Sequence, residues 1–176
     1  MIITSDLDFK NHRNLCLNKV IFDSFILMIF IIGCYIENQP KKKNIIKNEH
    51  KQLLRCMTHL IRNLRIKRIY TTPTIFSEFV NLLRNHYKDN YVEIEKGCLK
   101  DLENLDEIYI HKNSLINHNK FIFFGNDISL LLATEEDICR GANIGLFSND
   151  IRFMSEFFEN KNQIFAFHLD TLKYFI

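Results

Sequence analysis

The chain has 176 residues, 47% of them apolar and 25% charged, with 23 Lys and Arg against 21 Asp and Glu. That length suits one domain with a real core, and the composition is ordinary for a globular protein. Two prolines and five glycines leave little room for a flexible linker, and a net charge of +2 says little about partners.

The five cysteines, at 16, 34, 56, 98 and 139, are scattered and never form a C-x-x-C pair. This argues against a disulfide framework or a zinc knuckle and points to reduced thiols in a cytoplasmic protein. The His residues form no ligand motif such as H-E-x-x-H.

Residues 1–18 are polar and weakly patterned and read as an N-terminal arm or an extra strand, ahead of a single domain over 19–176. Lys19 to Phe22 is the first expected strand; Asp23 and Ser24 end it, and a helix follows from Phe25 to Glu37. The apolar run Phe25 to Ile36 falls short of the roughly 20 residues a membrane span needs. It is flanked by Lys19, Asp23 and Glu37, so it reads as a buried helix in a protein with no membrane partner, a membrane anchor over 25–36 being the lesser alternative. Asp6 and Asp8 stand where a secretory signal needs basic residues, so no such signal is expected.

Asn38-Gln39-Pro40 breaks that helix. From Lys41 to Arg68 there are ten Lys or Arg and one acid, Glu49. Leu53, Leu54, Met57, Leu60, Ile61 and Leu64 recur at helical spacing, which predicts a helix with a basic outer face. Such a face is either simply solvated or a surface for an anion, most often nucleic acid. Lys41, Lys42 and Lys43 are the candidate contacts to a phosphate backbone.

A second strand is expected at Arg68 to Thr71, then a helix from Thr74 to His86 with Pro73 at its first turn. Its apolar stripe is Ile75, Phe79, Leu82 and Leu83, with Glu78 at the flank. Residues 87–107 carry seven acids against Lys88, Lys96 and Lys100. They read as an acidic helical insertion far from the basic face. The stretch 108–124 is ambiguous between helix and strand, and 128–138 is expected to be a helix. Asn143 to Phe147 is an expected buried strand, followed by Ser148-Asn149-Asp150 and an amphipathic helix over 151–158. The last strand is placed at Gln163 to Phe167. Strands alternating with helices predict an α/β fold with a parallel sheet.

Within that frame four carboxylates fall at strand ends or on the following helix: Asp23, Glu78, Asp127 and Asp150. Each alone is explained as a helix cap or a surface acid. Together they point to the carboxyl edge of the sheet, where open α/β sheets bind ligands. Clustered carboxylates repel, and a hard divalent cation such as Mg²⁺ or Mn²⁺ removes that penalty. Such a site can activate water and offset charge on a phosphate. The expected chemistry is metal-dependent phosphodiester hydrolysis. No Walker A loop, G-x-G-x-x-G or G-x-S-x-G is present, which makes nucleotide-dependent transfer and serine hydrolysis poor candidates.

VIFDSFIL at 20–27, TTPTIFSEFVNLL at 71–83, GNDISLLLA at 125–133 and LFSNDIRF at 146–153 resemble, in order, the four acidic motifs of the PIN-domain nucleases. The resemblance covers roughly residues 19–168. It implies a parallel α/β/α sandwich and Mg²⁺- or Mn²⁺-dependent endoribonuclease activity on RNA. It makes Asp23, Glu78, Asp127 and Asp150 the metal-binding acids, with Ser24 and Ser148 orienting carboxylates by hydrogen bonds. The resemblance extends to toxins of the virulence-associated-protein C type, for which an antitoxin protein and a homodimer are the expected partners. Phe25 stands where many members have a small polar residue, and the chain is longer than the compact toxins. The alternative is a catalytically inactive PIN-like scaffold that binds RNA or protein.

Overall fold

The computed structural model describes residues 2–3, 17–109, 144–150, 154 and 164–172. Asp127 and the expected helices at 128–138 and 151–158 lie outside these residues, apart from Met154. The described strands are β1 (Ile2–Ile3), β2 (Lys19–Phe22), β3 (Arg68–Thr71), β4 (Asp106–Glu107), β5 (Ile144–Ser148) and β6 (Ile164–His168). The helices are α1 (Ser24–Asn38), a 3₁₀ segment (Pro40–Ile45), α2 (Asn48–Asn63), α3 (Pro73–His86), α4 (Tyr91–Gly97), α5 (Leu99–Glu103) and α6 (Leu169–Leu172).

The strands form one sheet in the order β1-β6-β5-β2-β3-β4, and every pairing is parallel. With helices covering the sheet, this is the three-layer α/β/α architecture. Val20, Ile21 and Phe22 are wholly buried in β2, as are Leu146 and Phe147 in β5. Unbroken apolar runs are what strands covered on both faces require. From β2 the chain steps to β3 and then β4 on one side; from β5 it steps to β6 on the other. The reversal falls between β2 and β5, which pair from Lys19↔Ile144 to Phe22↔Phe147.

The helix α1 buries Ile26, Leu27, Met28, Ile29, Ile31, Ile32 and Tyr35. Ile29 and Ile32 are fully covered within one chain, so they belong to the core and not to a subunit interface. A Cβ on Gly33 would stand 2.5 Å from Leu54 Cδ1, which lets α1 and α2 approach closely. The helix α2 is amphipathic as expected, with Leu53, Cys56, Met57 and Leu60 inside. It ends at Arg65 in the left-handed region, φ 54°, with Ile66 N–H donating to Ile61 O at 3.0 Å. This is a helix-ending turn usually given to glycine. Thr72 caps α3 by accepting from Ile75 N–H at 3.3 Å, and Pro73 opens it.

Ile2 and Ile3 pair with Ala166 and Phe167, so of the two readings of residues 1–18 the extra strand holds for these two. One expectation is corrected. The acidic stretch 87–107 is not remote from the basic one. It holds α4, α5 and β4, which pairs with β3. Lys42 Nζ lies 3.0 Å from Glu93 Oε1, and Asn38 Nδ2 donates to Asp101 Oδ2 at 3.1 Å. The two stretches meet across the end of α1. Among the described residues no helix is long and apolar enough to cross a membrane. Cys34, Cys56 and Cys98 are unpaired, and burial pushes each thiol up to about 12.

Candidate active site

In a doubly wound sheet the crevice for a ligand opens where the strand order reverses, outside the carboxyl ends. Here that point is the gap between the ends of β2 and β5. Asp23 follows the last residue of β2, with its N–H donating to Phe147 O at 3.1 Å. Its backbone is extended, φ −70° and ψ 169°, so the side chain turns back over the start of α1. Oδ1 accepts from Ile26 N–H at 2.7 Å. Oδ2 reaches across to β5 and accepts from Asn149 N–H at 3.0 Å. The Ser148 hydroxyl adds a third hydrogen bond. Asp23 is thus a helix cap and also a link between the two central strands.

Burial raises the Asp23 carboxyl above its ordinary value of 3.8, against the downward pull of its hydrogen bonds, and the charge of Glu78 raises it further. Glu78 is half-buried on α3. Its Oε2 accepts a hydrogen bond from Ser24 Oγ, the first residue of α1. Two carboxylates therefore adjoin at the strand edge, one held by the cap and the other by the neighbouring hydroxyl.

Ser148 is fully buried. Its Oγ accepts from Asp150 N–H at 3.0 Å while its proton serves Asp23. Asp150 itself is exposed and lies at the same end of the sheet as Asp23. Its carbonyl accepts from Met154 N–H at 3.0 Å, an i to i+4 hydrogen bond. Asn149 Oδ1 is buried and has no hydrogen-bond partner among the described residues. Its carbonyl meets His168 Nε2 at 3.0 Å. The structure thus groups Asp23, Glu78, Ser24, Ser148 and Asp150 at one edge; Asp127 falls outside the described residues. Among the described residues no three His, Cys, Asp or Glu side chains gather closely enough to hold a metal ion.

The basic candidates are placed otherwise. Lys41, Lys42 and Lys43 are exposed in the 3₁₀ segment beyond the far end of α1. Fifteen helical residues separate that end from Asp23, about 20 Å at the helical rise. The chain then climbs back, and α2 begins beside the start of α1. His50 packs edge-on against Phe25, ring centroids 5.5 Å apart. Lys47, four residues from Lys51, lies over the Tyr87 ring at 5.8 Å. Lys47 and Lys51 are therefore closer to the carboxylates than Lys41 to Lys43.

Comparison with protein-family models, with curated proteins and with solved structures finds no match.

Two residues of this edge escaped the sequence reading. Asn149 acts through its backbone, which has no residue-type signature. His168 could have been found: it is the polar residue that ends the apolar run Ile164-Phe165-Ala166-Phe167, the same signal that singled out Asp23 after β2.

Proposed function

We propose that the protein is a metal-dependent endoribonuclease of PIN type, cutting RNA at the carboxyl edge between β2 and β5. The observation that carries this reading is the Asp23 carboxylate, half-buried at the strand reversal beside Glu78, with no cationic side chain among its hydrogen-bond partners in the described residues. Two adjoining acids held against their own repulsion are a donor set for a hard divalent cation. Each Asp23 oxygen already takes a backbone N–H, and a carboxylate oxygen has a further lone pair to offer.

Asp23 and Glu78 would be the paired donors for Mg²⁺ or Mn²⁺; Asp150, at the same end of the sheet, does not gather with them into a three-ligand group and would act through water, as would Asp127. The cation, when bound, supplies water activation and charge compensation at the scissile phosphate. The chain's own part is orientation. Ser24 fixes one oxygen of Glu78. Ile26 and Asn149 fix the two oxygens of Asp23. Ser148 ties Asp23 to the turn that carries Asp150. Lys47, just before α2, and Lys51, in its first turn, supply positive charge for an RNA backbone near the edge.

The test is cleavage of a mixed RNA pool with Mn²⁺, with and without chelator, by wild type and Asp150→Asn. Chelator-sensitive cleavage by wild type, lost in Asp150→Asn, is the expected result. Equal cleavage by both proteins overturns the assignment and identifies a contaminating nuclease.

A further inference from the structure

We infer that His168 is a positioning residue for the carboxylate edge: it holds the peptide between Asn149 and Asp150 and, through it, sets both Asp23 and Asp150. This deepens the nuclease reading and rests on it for its functional meaning, but its structural part stands separately.

The strand β6 runs beside β5 with Ser148 opposite His168. The imidazole is nearly buried, 8% exposed. Its Nε2 lies 3.0 Å from Asn149 O. A carbonyl carries no proton, so Nε2 must donate. On the other side of the same peptide, Asp150 N–H donates to Ser148 Oγ at 3.0 Å. The peptide is therefore gripped at both its oxygen and its nitrogen, by β6 and by β5. Gripping it fixes the φ and ψ of Asn149, whose own N–H is the donor to Asp23 Oδ2. It also sets the Cα position from which the Asp150 side chain leaves.

The proton on Nε2 is secured from behind. His168 Nδ1 lies 2.6 Å from Thr171 Oγ1, and Thr171 Oγ1 also reaches His168 O at 3.0 Å. A hydroxyl can donate to a bare Nδ1 or accept from a protonated one. In either charge state Nε2 keeps its proton and its hold on Asn149. The chain of contacts is Thr171, His168, the Asn149–Asp150 peptide, then Asp23. Removing such an orienting contact behind metal-binding groups characteristically lowers metal affinity or turnover by about ten- to a hundredfold.

The experiment uses three variants of the full chain. His168→Leu removes the donor. His168→Gln restores an amide N–H near the position of Nε2. Thr171→Val, at an exposed position, releases the tautomer with little risk to folding. On metal-free protein, amide exchange by NMR should quicken at Asn149 and Asp150 in His168→Leu, at least about fivefold for the loss of one hydrogen bond. The amides of Val20 and Leu146 should be unchanged, and His168→Gln should restore protection. Mn²⁺ affinity by calorimetry should fall about tenfold or more in His168→Leu and recover in His168→Gln. In cleavage, kcat should fall while KM for RNA holds.

Unchanged exchange at Asn149 and Asp150 in both His168→Leu and Thr171→Val overturns the inference. If His168→Leu does not fold, faster exchange at those two amides in Thr171→Val supports it and normal exchange overturns it. A wild type that neither binds Mn²⁺ nor cleaves RNA sinks the nuclease reading alone, since the exchange data still decide the clamp.

Discussion

Two titratable side chains lie near the start of α1, Asp23 half-buried and His50 buried, and they are treated in opposite ways. Asp23 sits at the strand reversal, with hydrogen bonds from Ile26, Asn149 and Ser148. His50 sits between helices among the rings of Phe25, His86 and Tyr87, 3% exposed. Burial raises the Asp23 carboxyl and lowers the His50 imidazole to about 4; both shifts oppose the charged form. His50 is simply held neutral. The Tyr87 phenol, itself pushed up to about 12 by burial, donates to His50 Nδ1 at 2.7 Å, which leaves the ring proton on Nε2 facing Glu49. Asp23 is instead surrounded by donors that suit its charged form. One side chain is held neutral by its packing; the other is held by donors that suit its anion. A perturbed pKa does not distinguish them, but the hydrogen-bond partners do.

The largest effect expected from breaking this contrast is at Asp23. Asp23→Asn preserves the helix cap but removes the charge, so Mn²⁺ affinity and turnover should both fall about a hundredfold. Stability should respond the other way. With the folded pKa above the ordinary 3.8, the native state binds the extra proton, and wild type loses stability as pH rises through that window. Asp23→Asn should lack this loss, which urea midpoints measured from pH 4 to pH 8 would reveal. A variant that keeps wild-type Mn²⁺ affinity would remove Asp23 from the metal site.

Next is Ser24→Ala, which frees Glu78 Oε2 without touching Asp23. About a tenfold drop in turnover is expected, with little change in the melting temperature; steady-state cleavage and a thermal scan measure both. His50→Leu should do the reverse. In wild type, stability holds above 6.5 and falls as pH drops towards about 4, because the unfolded state takes up the proton that buried His50 refuses. His50→Leu should flatten that acid limb in urea titrations and leave Mn²⁺ affinity unchanged. A change in metal affinity would mean that the aromatic cluster belongs to the site.

The smallest effect concerns RNA. Lys47→Ala with Lys51→Ala should reduce the salt slope of RNA binding by about 2, one for each phosphate no longer neutralised. Lys41→Ala with Lys43→Ala should change it less, since that segment lies at the far end of α1. Fluorescence anisotropy across a salt series would rank the two pairs.

Much of the fold was legible because its signals are local. Val20-Ile21-Phe22 and Ile144 to Phe147 announce buried strands by unbroken apolar runs, and Asn38-Gln39-Pro40 and Thr72-Pro73 mark helix ends by their backbone limits. Asp23, Glu78 and Asp150 were visible as acids beside such boundaries. The strand at Ile2–Ile3 was harder, since two residues carry no period and gain their identity from β6. The salt bridge from Lys42 to Glu93 was missed because charge counts along a chain do not say which stretches meet.

By itself, the sequence determined where the longer described strands and helices begin and end and which chemistry-bearing side chains stand at those ends, because propensity, capping and hydrophobic period act over a few residues. Tertiary structure alone decided that β2 and β5 are neighbours. It decided that Asn149 N–H reaches Asp23, that Ser24 reaches Glu78, and that His168 grips the turn from β6. Those contacts join residues 54, 126 and 19 positions apart. Strand order, set by how all the apolar faces are buried at once, is the physical cause of each.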